Sequence, residues 1–184
     1  MDARARTETI TRQVSESLAG SGVVVDDVSV QQAGRRRLVR VFLARDVSGL
    51  PADDTTSAVE PLSLDEIADA TRSVSSALDG SDVMGEAPYT LEVSSTGLDR
   101  LLLTRDHFRR NVGRLLSVSL GGDDDGPDTA TGRLTEVRAD GIRLRPEGSD
   151  PAADGATTGT DIPWEDVTRA TVQVEFSRPD GKDD

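Results

Sequence analysis

The stretch that most constrains the fold is an apolar alternation that stops abruptly at a polar turn. Tyr89, Leu91 and Val93 alternate with polar residues, which is the period of a β-strand with one buried face. Residues 94–97, with the sequence SSTG, end this strand because small polar residues and glycine favour turns. A new apolar run, LDRLL, follows at residues 98–102. We therefore expect the turn to connect two structured halves of the chain.

The segment before this strand is predicted to contain two helices and two further strands. The predicted bounds are a helix over 7–18, strands over 23–32 and 38–45, and a second helix that begins at Ser63. Glu66 lies three residues after Ser63, which is the spacing of a helix capping box. The order helix, strand, strand, helix, strand predicts a small α/β layer with two helices on a three-stranded sheet.

Beyond residue 111 the pattern changes to short strands separated by glycine-containing turns. Leu116, Val118 and Leu120 alternate, and Gly132 lies in a strand over 131–137 that it allows to bend. The last strand is predicted from the alternation of Ala170, Val172, Val174 and Phe176. Such strands favour a small closed barrel of the Sm-like or SH3-like kind. The predicted fold class is α+β, with an N-terminal α/β domain over 1–111, a C-terminal barrel over 112–178 and an acidic tail over 179–184.

Composition and missing motifs argue against catalysis. The chain has no cysteine and one histidine, His107, so a disulfide framework, a zinc cluster and a thiol nucleophile are not expected. Phosphate-binding glycine loops and the calcium-loop spacing do not occur. Neither a membrane-spanning apolar run nor a signal peptide is evident. These observations predict a cytoplasmic protein that is not an enzyme and holds no cofactor or metal.

The charge pattern combines an acidic body with two local arginine runs. At a formal net charge of −13, nucleic acid would have to be bound by a local basic patch, whereas the acidic body suits a basic partner. The first run lies at a predicted hairpin tip. The second lies within a short helical turn over 104–111, which Thr104 can cap and beneath which Phe108 can pack. Candidate RNA contacts are Arg35, Arg36, Arg37, Arg105, Arg109 and Arg110. The alternative for the hairpin run is a solvated tip without a partner.

Two long connections, residues 46–61 and 146–159, lack periodicity and are rich in Gly, Pro, Asp and Thr. This composition predicts flexible loops, to which the sequence assigns no role.

Residues 91–102, LEVSSTGLDRLL, resemble the signature LEVSSPG(L/V)(D/E)RPL of the bacterial ribosome maturation factor RimP family. Thr96 and Leu101 stand where that signature has proline, and proline would restrict the backbone at both places. The Ile-Pro-x-x-x-Val pattern that begins at Ile162 is also similar to the family. The candidate residues for joining the domains or binding a partner are Ser94, Ser95, Gly97, Asp99 and Arg100.

The resemblance implies a monomeric, non-enzymatic assembly factor that binds the immature small (30S) ribosomal subunit and promotes its maturation. Its implied partners are a basic small-subunit ribosomal protein of the decoding region and, within the particle, rRNA. An alternative is an Sm-like or KH-like RNA-binding regulator that acts independently of the ribosome. Residues 1–111 hold 13 basic against 18 acidic residues, and residues 112–184 hold 8 against 16. We therefore expect the barrel to meet the basic protein and the N-terminal half to face rRNA.

Overall fold

A computed structural model describes residues 3–85, 88–97, 100–121, 128–146 and 159–174. The chain divides into two units, one made of Met1–Gly49 with Glu60–Gly97 and the other of Leu50–Val59 with Leu98–Asp184. This division differs from the predicted boundary at residue 111, because Leu102 and Phe108 are buried in the core of the second unit. The predicted tail over 179–184 and most of the 146–159 loop lie outside the described residues.

The first unit contains the predicted two helices and three-stranded sheet. Its elements are α1 (Ala3–Ser17), β1 (Val23–Ala33), β2 (Arg36–Arg45), α2 (Leu64–Asp79), a short 3₁₀ helix (Asp82–Met84) and β3 (Tyr89–Ser95). The sheet order is β1-β2-β3, with β1 antiparallel and β3 parallel to β2. A parallel neighbour requires a crossover connection, and α2 supplies it.

The core of this unit lies between the sheet and the two helices. The fully buried side chains recur at every second position of β2 and at every fourth position of α1 and α2, as the sequence periodicity predicts. They are Ile10, Val14, Val39, Val41, Leu43, Val74 and Leu78. Helix α1 begins four residues earlier than predicted, because Thr7 lies inside it and donates its hydroxyl proton to the carbonyl of Ala3 at 3.1 Å.

The second unit is a five-stranded antiparallel sheet with a short helix at its start. Its elements are α3 (Arg105–Arg109), β4 (Leu115–Leu120), β5 (Thr129–Val137), β6 (Gly141–Arg145), β7 (Thr160–Pro163), a 3₁₀ helix (Trp164–Asp166) and β8 (Val167–Val172). The strand order is β7-β6-β5-β4-β8, so the first strand of the sheet pairs with both the second and the last. The predicted α+β fold is confirmed.

Chain connectivity shows that this sheet is strongly curved. β7 and β8 stand at opposite ends of the strand order, although only Trp164–Asp166 lies between them. Neighbouring strands are about 4.8 Å apart, so the two edges of a flat sheet would be about 19 Å apart. A 3₁₀ helix rises only about 2 Å per residue, which is too short to bridge that distance. The sheet must therefore curl toward a barrel until its two edges approach each other.

The last strand is shorter than the sequence alternation predicts. β8 ends at Val172, and the side chain of Val174 is 51% exposed. The reason is that β4, the pairing partner, begins at Leu115, whose carbonyl accepts the final hydrogen bond from the amide of Gln173 at 2.8 Å. Phe176 lies outside the described residues.

Within the described ranges of the chain, every helix is too short or too polar to cross a membrane.

Candidate interaction surfaces

The signature residues lie at the end of β3 and in the passage from the first unit to the second. Ser94 and Ser95 are exposed on the last two positions of β3. The amide of Thr96 donates to the carbonyl of Leu43 at 3.2 Å, which extends the pairing with β2 by one residue. Proline has no amide proton, so the threonine makes a bond that the family's proline cannot make. Gly97 is exposed and ends the first unit.

The exit from the signature belongs to the second unit. Leu101 forms a β-bridge with Thr171, and the amide of Leu102 donates to the carbonyl of Ala170 at 2.9 Å. Leu102 itself is buried. Arg100 is half-buried, whereas Asp99 lies outside the described residues. The role of Asp99 and Arg100 in joining the domains or binding a partner stays a prediction.

The first arginine run separates into two exposed residues and one that is held by its own unit. A left-handed Gly34, with φ of +63°, closes the hairpin between β1 and β2 and places Arg35 and Arg36 at its exposed tip. Arg37 instead donates from Nη1 to the carbonyl of Met84, and its amide donates to the carbonyl of Pro88 at 3.1 Å. Arg35 and Arg36 are therefore the members of this run that face solvent.

The predicted helical turn after the signature is confirmed. The hydroxyl oxygen of Thr104 accepts from the amide of His107 at 3.3 Å, and Nδ1 of His107 accepts from the amide of Leu103 at 3.0 Å. Phe108 is 2% exposed, and its ring meets that of Trp164 edge to face, with 5.1 Å between centroids. His107 thus holds the start of α3, which is a structural role.

The RNA contact expected of Arg109 stays a prediction, and in the structure this side chain is buried against its own chain. Arg109 is only 6% exposed, with Nη2 at 3.2 Å from Oδ2 of Asp54 and Nη1 donating to the carbonyl of Ser57. Arg105, one turn earlier on α3, is exposed, and Arg110 is half-buried. This burial was not expected from the sequence, because the loop that contains Asp54 and Ser57 carries no periodic pattern that would place it against α3.

We call residues 50–59 the strap, because they belong to the second unit although they lie within the sequence of the first. The carbonyl of Thr55 accepts from the amide of Val137, at the end of β5, at 2.9 Å. The carboxylate of Asp54 accepts from the amides of Ser57 at 3.0 Å and Thr56 at 3.4 Å. The hydrogen bond from Ser57, together with the charge of Arg109, holds the pKa of Asp54 below its usual value. An Asp followed by hydroxyl residues is typical of such a turn, so the sequence could have predicted the turn at Asp54.

A second feature that the sequence did not reveal is a network of ion pairs across β5, β6 and β7. Arg143 donates from Nε and Nη2 to the two carboxylate oxygens of Asp161 at 2.8 and 2.9 Å, and from Nη1 to Glu136 at 3.2 Å. Arg138 also donates to Asp161 and to Glu136. The hydrogen bond from Arg143 has the largest effect, and together with Arg138 it lowers the pKa of Asp161 to about 2. The network arises from strand register, because Arg143 lies opposite both Glu136 and Asp161.

An acidic cleft of about 300 Å³ lies beside this network on the second unit. Its charged lining consists of three carboxylates and one guanidinium, and the side chain of Asp140 is 85% exposed. The lining residues are Arg138, Asp140, Gly141, Asp161, Ile162, Pro163 and Glu165. The cleft therefore presents negative charge beside a small apolar surface.

Comparison with known proteins agrees with the signature. The profile of the family described as "RimP N-terminal domain" matches residues 13–99. A protein of Kineococcus radiotolerans named "Ribosome maturation factor RimP" is 42% identical over 165 residues, which cover 87% of this chain and 73% of that protein. A similarity of this extent includes parts of both units. The name of this relative, a maturation factor, agrees with the prediction that the chain is not an enzyme. The resemblance of residues 91–102 is therefore confirmed, and the chain belongs to the RimP family of ribosome maturation factors.

Proposed function

We propose that this protein binds the immature small ribosomal subunit and promotes its maturation without catalysing a covalent step. The observation that supports this is the 42% identity with the Kineococcus radiotolerans maturation factor, over a length that includes parts of both units. The protein acts in the cytoplasm as a monomer, and its contacts are made by two kinds of surface. Exposed arginines meet rRNA, and the acidic cleft meets a basic ribosomal protein of the decoding region.

The RNA contacts fall on both units rather than on the N-terminal half alone. Affinity for phosphates comes from basic side chains, and the local arginines are the groups able to supply it in an acidic chain. Arg35 and Arg36 are exposed on the first unit, and Arg105 is exposed on the second. The second unit, with 12 basic against 20 acidic residues, is the more acidic although it holds the arginines of α3. The arginines assigned to rRNA within residues 1–111 are thus divided between the two units.

The acidic cleft is the surface that we assign to the basic ribosomal protein. Asp161 is already held by Arg143, so a partner's lysine or arginine would meet mainly Asp140 and Glu165, which are exposed. Complementary charge of this kind speeds encounter and orients the partners. It acts over a Debye length of about 8 Å at physiological ionic strength, so binding should weaken as salt is added.

Sucrose-gradient fractionation of cell extract, probed for the tagged full-length protein, tests this proposal. The protein should co-sediment with free small subunits and their precursors and be absent from translating ribosomes. A variant with Asp140→Asn and Glu165→Gln should leave the precursor fractions at lower salt than wild type. The control variant, Glu16→Gln with Asp53→Asn, removes the same charge from exposed positions outside the cleft.

Three outcomes would contradict the assembly role. An even distribution along the gradient, or a peak among polysomes, would exclude a role in subunit assembly. Oligomeric rings that bind RNA in the top fractions would favour the alternative of an Sm-like or KH-like regulator that acts away from the ribosome. Equal salt sensitivity of the cleft variant and its control would retain the assembly role but remove the cleft from it.

A further inference from the structure

Arg109 is a buried arginine whose ligand is an anionic side chain from a distant part of the same chain. Asp54 and Ser57 of the strap supply one carboxylate and one carbonyl to its guanidinium. Within the described residues, Nε of Arg109 is buried without a hydrogen-bond partner, and Nη2 faces Asp54 without forming a hydrogen bond. A guanidinium matches phosphate as well as carboxylate, because either anion can accept two parallel hydrogen bonds. The strap thus fills a site that a phosphate could satisfy more completely.

The position of Arg109 on α3 connects this site to the exposed basic surface. Arg105 precedes it by four residues, so the two side chains share one face of the helix. Arg105 is exposed, whereas Arg109 is covered by the strap. An RNA backbone that reached Arg105 would therefore meet Asp54, a negative charge, at the next arginine on that face.

The anchorage of the strap is polar and mostly exposed. Residues 51–53 and 56–58 are exposed, and the backbone contact with β5 is the hydrogen bond from Val137 to Thr55. Segments with few buried apolar contacts are the ones that open most easily in a native protein. Opening without a substitute ligand would exchange the contact between Asp54 and Arg109 for water, which is less favourable than exchange for another anion. The strap should therefore open mainly when another anion takes the place of Asp54.

We propose that the strap is an intramolecular competitor for an RNA phosphate at Arg109. With the strap docked, the carboxylate of Asp54 occupies the guanidinium and limits the RNA contact to the exposed arginines. When a backbone phosphate replaces Asp54, the strap is released and Arg109 joins Arg105 in binding RNA. Because binding free energies are reciprocal, weakening the strap must raise the affinity for RNA, and RNA must open the strap. This inference rests on the RNA contact in the proposed function and adds its regulation.

Fluorescence anisotropy on the full-length protein tests this competition. The probe is a single-stranded oligouridylate of about ten nucleotides, a length within the usual range of single-strand binding sites. Asp54→Asn should tighten binding about tenfold if the strap is docked about 90% of the time. Asp53→Asn is the matched control, because it removes the same charge from the adjacent exposed residue and should bind as wild type does. Adding Arg109→Gln to Asp54→Asn should abolish the gain.

Amide hydrogen exchange on the wild-type protein gives a second readout that needs no variant. Addition of the oligonucleotide should accelerate exchange at Ser57 and Val137, whose amides are hydrogen-bonded in the docked strap. Equal affinity of Asp54→Asn and Asp53→Asn, or exchange that RNA leaves unchanged, would overturn the competition. Neither measurement uses the ribosome. If the protein co-sediments with precursor subunits but shows no competition between the strap and RNA, the proposed function stands and the competition is rejected. If it shows the competition but does not co-sediment, only the assembly role is rejected.

Discussion

At the scale of single residues, Glu66 joins the start of α2 to β2. Its Oε1 accepts from Arg45 at 2.5 Å, and its Oε2 accepts from the amide and the hydroxyl of Ser63, both at 2.8 Å. Arg45 also donates to the carbonyls of Glu60 and Pro61, where the chain returns from the strap. The capping box predicted from the spacing of Ser63 and Glu66 is therefore present, and an arginine from the sheet reinforces it.

Glu66→Gln should reduce stability at neutral pH but have little effect in acid. The bonds from Arg45 and then Ser63 lower the pKa of Glu66 from 4.5 to about 2. A carboxylate with a lowered folded-state pKa stabilises the protein above its unfolded pKa, and that contribution is lost as pH falls through the folded pKa. The difference from wild type should be full above pH 4.5 and should vanish near pH 2.

Urea denaturation at a series of pH values measures this difference. Glu16→Gln, a change to an exposed carboxyl on α1, serves as the control and should follow wild type throughout. A difference between wild type and Glu66→Gln that stays constant down to pH 2 would contradict the ion-pair account.

At the scale of elements, strand register decides features that local propensity leaves open. Thr96 extends β3 through a hydrogen bond to Leu43, so the residue that replaces the family's proline has a structural role in this chain.

Gly132 on β5 is buried opposite Leu116 of β4. A Cβ on Gly132 would lie 2.7 Å from the carbonyl oxygen of Arg145 on β6. The glycine is therefore required by the close approach of two strands.

Gly132→Ala should destabilise the second unit by about 1–3 kcal/mol, the usual cost of overpacking a filled interior. The added methyl group would press on backbone of β6, which cannot move aside as the tip of a flexible side chain can. Thermal unfolding followed by circular dichroism measures the loss. The control is Thr131→Ala at the adjacent exposed position of the same strand. Equal unfolding temperatures for the two variants would show that β6 accommodates the methyl group.

At the scale of the whole molecule, the second unit includes one segment, the strap, that lies within the sequence of the first. The chain passes between them after residues 49, 59 and 97, rather than once at residue 111. The core of the second unit includes Leu102 and Phe108, which precede the predicted barrel. A fragment cut at residue 112 would therefore lose two buried side chains as well as α3.

The fragment 98–184 should be more stable than the fragment 112–184, with a higher midpoint of urea denaturation. Loss of a buried aromatic side chain such as Phe108 typically costs about 3–5 kcal/mol, a large part of the stability of a small domain. The two midpoints, measured by tryptophan fluorescence of Trp164, test this prediction. Equal midpoints would favour a domain that begins at residue 112.

The sequence alone determined the features that depend on neighbours along the chain. The alternation on β2 and β3, the capping box at Ser63 and the cap at Thr104 were all predictable. Each rests on contacts between residues a few positions apart or on a regular period of burial, and both leave a pattern in the sequence.

Only the tertiary structure decided which arginines are available and where the units divide. Arg109 and Ser57 lie 52 residues apart in sequence, and Arg143 meets Asp161 across a strand pair separated by 18. No local period marks such pairs, because the chain brings them together only after the strands have found their register. Arg35 and Arg109 look alike in sequence, yet one is at a solvated tip and the other is buried under the strap. The two arginines differ in burial because contacts with residues distant in sequence decide which side chain is covered. Composition and local spacing contain no information on those contacts.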